Sequence, residues 1–120
     1  MEMKKISLLL TFIVTLSNFG VRGNQSHHLI VGSRIPGDSD MTRDYIYIVP
    51  ELIKIITFEK NITLYNNYKI TKIAAYDQKS DGTGAYAFII SGGLGFQYVL
   101  LKFISQRGFG IDFVVELFGR

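Results

Sequence analysis

The sequence predicts an all-β protein: a single antiparallel β-sandwich or small barrel of about seven strands, preceded by a signal peptide. Three observations carry that reading. Eight of the twelve glycines fall between Gly82 and Gly119, between apolar runs rather than inside them. Glycine reaches positive φ at no steric cost, so this placement marks turns. The runs themselves alternate with period two, the mark of a half-buried strand. They are also short, rich in β-branched and aromatic residues, and lack the capping residues that open a helix.

The C-terminal block shows this most clearly. In Ala85–Ile90, Tyr86, Phe88 and Ile90 share one face and Ala85, Ala87 and Ile89 the other. Ser91–Gly95 turns the chain into Phe96–Ser105, where Val99, Leu101 and Phe103 oppose Tyr98, Leu100, Lys102 and Ile104. Gln106–Gly110 turns it again into Ile111–Phe118, with Phe113, Val115 and Leu117 on one side. Short connections favour antiparallel neighbours, so these three strands are expected to form a meander.

Upstream, Leu29–Val31 is a short strand. Gly32–Asp40 is a loop in which Pro36 and Gly37 suit the two central positions of a type II turn. Asp44–Val49 alternates, Pro50 interrupts, and Glu51–Glu59 resumes the pattern. Lys60–Tyr68 is polar and asparagine-rich, a surface loop by composition. Lys69–Asp77 is a strand with Ile73 and Ala75 as core. Asp81-Gly82 is a hairpin signal, so 69–77 is expected to pair with 85–91.

The first 23 residues read as a leader. Lys4 and Lys5 precede the apolar run Ile6–Leu16, and Ser17–Gly23 closes with Val21 and Gly23 at the −3 and −1 positions of a cleavage site. This eleven-residue run is too short to span a bilayer, which takes about 20. Residues 24–120 then form one domain, secreted and with no membrane segment in its mature form. Cleavage removes three of 13 basic and one of 10 acidic residues, leaving 10 and 9. No basic stripe remains for direct nucleic-acid binding. With no cysteine in the chain, disulfides and thiolate chemistry are excluded, and the fold rests on its apolar core.

Chemistry is sparse. The two histidines, His27 and His28, are adjacent and point to opposite faces of an extended chain, so one metal ion does not take both. Asp38 and Asp40 lack the further oxygen ligands of a calcium loop and read as turn-capping carboxylates. Gly92, Gly93 and Gly95 match no phosphate-binding pattern. The residues therefore predict no enzyme, no catalytic group, no metal and no cofactor. Two sequons, at Asn24 and Asn61, are the glycosylation candidates. Strand 96–105 is apolar on both faces. Either it is a central strand covered on both sides, or Tyr98, Leu100 and Ile104 form a contact surface for a protein partner or for self-association. Lys102 is expected to pair across strands with Asp112 or Glu116.

GSRIPGD (32–38), AYDQKSDGTGAYAFIISGGLGFQYVLLKF (75–103) and SQRGFGIDFVVELFGR (105–120) together resemble the insect multiprotein bridging factor 2 family, whose members are often described as salivary secreted peptides. The resemblance covers most of 29–120. It implies no enzymatic activity and carries over no site. It implies two roles: a secreted salivary- or venom-type protein that binds an extracellular partner, which the leader favours, and alternatively a transcriptional co-activator bridging a DNA-bound regulator to the general transcription machinery.

Overall fold

The computed structural model describes residues 23–120; the leader expected at 1–23 lies almost wholly outside that range. Among the described residues there are seven strands and no helix. They are β1 (Leu29–Gly32), β2 (Ser39–Ile48), β3 (Thr57–Thr63), β4 (Ile70–Asp77), β5 (Tyr86–Gly92), β6 (Tyr98–Ile104) and β7 (Ile111–Gly119). They form two antiparallel sheets, a larger one in the order β1-β4-β7-β2 and a smaller one in the order β3-β6-β5.

The inward positions follow the alternation read from the sequence. Ile73 and Ala75 of β4, Val99, Leu101 and Phe103 of β6, and Phe113, Val115 and Leu117 of β7 are all buried. Phe103 and Phe113 meet between the sheets with ring centroids 5.1 Å apart and tilted by 57°, a geometry aromatic pairs favour. The three central strands, β4, β6 and β7, supply most of this core because each has a neighbour on both sides.

Three expectations about pairing fail. The C-terminal strands are not one meander: β5 pairs with β6, but β7 lies in the other sheet between β4 and β2. Strands 69–77 and 85–91 do not form a hairpin, since β4 pairs with β1 and β7. Instead the Asp81-Gly82 turn carries the chain from one sheet to the other. Lys102 cannot reach Asp112 or Glu116 as a cross-strand partner. It stands opposite Glu59 and Phe88, while Glu116 accepts from Arg43 at 2.6 Å.

Two boundaries also move. Residues 49–56 form no strand; β3 starts at Thr57 and runs through the polar stretch to Thr63. Being an edge strand with one solvated face, β3 needs only Phe58 and Ile62 as inward apolar residues. β2 likewise begins at Ser39, pairing with the far end of β7 across a bulge at Asp40/Thr42. The Pro36-Gly37 turn forms as expected, with Gly37 at φ 87° and Asp38 N–H donating to the Ile35 carbonyl at 3.1 Å.

Candidate functional site

Four segments meet at one end of the sandwich: the arm 23–28, the loop 49–56, the loop 78–85 and the loop 105–110. Asp77 organises the first and third. Its side chain is fully buried, and it accepts hydrogen bonds from the backbone N–H of His27 at 2.9 Å and of Lys79 at 3.0 Å. The Asp77 N–H in turn donates to His28 Nδ1 at 3.0 Å. A Cβ on Gly84 would collide with the Asp77 carboxylate, so only glycine lets the loop close this tightly. His27 stacks on Tyr86 with centroids 4.3 Å apart, and His28 meets Tyr76 edge-on. The two imidazoles thus point apart, as their adjacency predicted. They belong to a structural clasp rather than to a solvated arm.

Loop 105–110 is fixed to that clasp through Gln106, whose Nε2 donates to the Gly82 and Gly84 carbonyls. It also holds loop 49–56. Ser105 Oγ accepts from Ile56 N–H at 2.7 Å, Gly108 N–H donates to the Lys54 carbonyl at 2.9 Å, and Arg107 Nη1 donates to the Ile53 carbonyl at 3.0 Å. Lys54 N–H donates to the Glu51 carbonyl at 3.1 Å, closing a turn. Ile53 occupies the third position of that turn at φ 53°. Glycine or asparagine is expected there, and for a β-branched side chain this backbone is a genuine outlier.

The result is an apolar tip. Leu52 is 85% and Ile53 69% exposed, and Val49, Ile55 and Phe109 are also exposed. Beside the tip, Tyr47, Pro50, Lys79, Thr83, Phe109 and Asp112 line a cleft of about 210 Å³. Tyr45 and Tyr47 extend the apolar surface along the outer face of β2.

The contact residues expected from the sequence lie elsewhere. Tyr98, Leu100 and Ile104 sit on the outer face of β6 and are half-buried between β3 and β5. The residues that stand out on that face are Tyr86, Phe88 and Ile90 of β5. Of the sequons, Asn24 lies in the clasp, with its Oδ1 accepting from Ser26 N–H at 2.8 Å. Asn61 is exposed on β3, a strand rather than the expected loop. In sequence the tip is masked, because ELIKIITFE alternates well enough to pass for a strand. The available signal was Pro50, which lacks the N–H a continuous strand needs.

At the opposite end Asp38 does cap its turn. Its Oδ2 accepts from Ile35 N–H and Thr71 Oγ1, and its Oδ1 from Arg34 Nε at 2.6 Å. Burial pushes the carboxyl up, but these donors and the Arg34 charge outweigh it and hold it below its ordinary value. Among the described residues no three His, Asp or Glu side chains gather in a metal-binding group.

No solved structure matches this chain. A "Probable salivary secreted peptide" of Bombus ignitus is 42% identical over 97 residues, covering 81% of this chain and 72% of the relative. Residues 31–119 match the family described as "Transcription activator MBF2", a span that takes in all seven strands but the first two residues of β1, and the chain therefore belongs to the MBF2 family.

Proposed function

We propose that this is a secreted, non-enzymatic protein of salivary or venom type that acts by binding an extracellular protein partner through the tip formed by Val49, Leu52, Ile53, Ile55 and Phe109. One observation carries the site: two large apolar side chains, Leu52 and Ile53, are held out in solvent by a turn whose backbone is unfavourable for isoleucine. A left-handed backbone costs an L-residue roughly 1–2 kcal/mol. Leaving a leucine or isoleucine exposed forgoes about 1.5–3 kcal/mol of burial. Strained, exposed apolar residues cluster at recognition sites, because there the partner supplies the missing burial.

Destination rests on other support. The leader at 1–23 has the form of an export signal, and the bumblebee relative is named as a secreted salivary peptide. The non-enzymatic reading is supported by the histidines, the only two in the chain, both of which make structural hydrogen bonds. The family's description as a transcription activator keeps a co-activator role as the second reading.

Expression of the full chain in insect cells tests both. Product in the medium beginning near Asn24 is expected; an uncleaved chain held in the nucleus would favour the co-activator. Mature protein is then used to capture partners from salivary-gland secretion, beside a Leu52→Asp/Ile53→Asn variant. Loss of a captured protein with the variant is expected. Equal capture by both would remove the tip from the site.

A further inference from the structure

The outer face of the small sheet is divided lengthwise. On β5 it is apolar, with Tyr86, Phe88 and Ile90 each about half exposed. On β3 it is polar, with Thr57, Glu59, Asn61 and Thr63 all exposed. The column between them, on β6, is Tyr98, Leu100, Lys102 and Ile104. A protein partner docking flat on this face would bury Lys102 at its centre, and charge is depleted from the cores of such interfaces.

Asn61 sits on the polar edge directly opposite Leu100. It is the first residue of the sequon Asn61-Ile62-Thr63. Ile62 points into the core, so Asn61 and Thr63 both point outward, onto this face. On β5 a bulge between Ile89 and Ser91 sets Ile90 beside Leu100 from the other side. Adjacent strands are about 4.8 Å apart, so Ile90 lies roughly 10 Å from Asn61 straight across the sheet, and Phe88, across from Glu59, roughly 12 Å away on the diagonal. That is the reach of the first two sugars of an N-linked chain.

We propose that Asn61 carries an N-linked glycan whose proximal N-acetylglucosamines lie across β6 onto Leu100, Ile90 and Phe88, so that the protein's own carbohydrate covers this apolar face. The inference rests on the secretory reading above. The Asn61 amide nitrogen attacks C1 of the first sugar of a lipid-pyrophosphate-linked oligosaccharide. The N–C1 bond forms, the C1–O bond to pyrophosphate breaks, and the amide loses one proton as the lipid pyrophosphate departs. Pyranose rings present an apolar C–H surface to the aromatic ring of Phe88, whose π-face is electron-rich. Their hydroxyls meet Glu59 and Thr63 on the polar side. Tethering holds the sugars at an effective concentration in the millimolar range, so contacts too weak for a free sugar suffice here. A glycan in this position closes the face to a second copy and leaves the tip open.

The test uses chain secreted from insect cells. Intact mass and peptide mapping report occupancy at Asn61. The glycosylated protein, the same protein after enzymatic removal of the glycan, and Asn61→Gln are compared for binding of a hydrophobic dye and for thermal midpoint. Removal by either route is expected to raise dye fluorescence several-fold and to lower the midpoint by a few degrees. In a Phe88→Ser/Ile90→Ser variant, glycosylated and stripped forms are expected to give the same dye signal. Secreted protein with bare Asn61 overturns the inference, and so does an occupied site whose removal changes neither readout. Glycosylated protein that dimerises through this face, and is made monomeric by Phe88→Ser, overturns it in favour of self-association. A chain that never leaves the cell is a different outcome and overturns the secretory reading with it.

Discussion

Ile53 and Asp77 stand in opposite relations to stability. Ile53 sits at φ 53° with its side chain in water, whereas Asn66 and Asn67, at φ 54° and 57°, are residues that accept this backbone readily. Ile53→Asn is therefore expected to raise unfolding stability by about 0.5–1.5 kcal/mol in urea titration while weakening partner capture. A loss of stability would remove the claim that the turn is strained. Asp77 is the reverse case: a buried carboxylate satisfied by two backbone donors. Asp77→Ala leaves those donors without an acceptor and is expected to cost about 2–4 kcal/mol by the same measurement. Gly84→Ala should destabilise for the complementary reason, because its methyl group occupies the space of the carboxylate.

Among the elements, β6 and β7 hold the two sheets together. Phe103→Ala would open a cavity against Phe113 and is expected to cost about 3–5 kcal/mol, read from a shift in the urea midpoint at unchanged slope. The Arg43–Glu116 pair, which joins β2 to β7 on the solvated face, is worth at most about 1 kcal/mol by comparison. The elements also show where local pattern runs out. Period two identifies the three central strands, β4, β6 and β7, and separates their two faces, because a strand with two neighbours has to present apolar side chains to the core. It misjudged the edges: β3 and β2 extend through polar residues, whose solvated face needs no alternation. The loop 49–56 alternates like a strand in sequence because exposed apolar residues at a loop tip look, in one dimension, like buried ones.

For the whole molecule, acid is the expected weak point. Asp38 is held below its ordinary value, burial opposed by Ile35, Arg34 and Thr71, and Asp81 is held below it chiefly by hydrogen bonds from Thr83. Lowered native pKa values mean that the unfolded chain binds protons first as pH falls. Their stabilisation is complete above the unfolded carboxylate value of about 4 and is lost as pH drops through the native values below it. Thermal midpoints should be flat from neutral pH to about 5 and fall below about 4, with Asp38→Asn flattening part of that fall. An unchanged profile in Asp38→Asn would show that its hydrogen bonds do not differ between the folded and unfolded chain.

The sequence by itself determined the class of the fold, the alternation of faces along the central strands and the positions of most turns, since these depend on residues within a few places of one another. It also contained the two sequons and the family resemblance. Only the tertiary structure decided which strands are neighbours. Asp81-Gly82 and Gln106–Gly110 say that the chain reverses, but whether it returns to the same sheet or crosses to the other depends on contacts such as Asp77 with Gly84 and Phe103 with Phe113, made between residues distant or facing across the core. The same dependence governs exposure. Leu52, Ile53, Tyr98 and Leu100 are alike in apolarity, and only the packing of the two sheets leaves the first pair in water and half-buries the second.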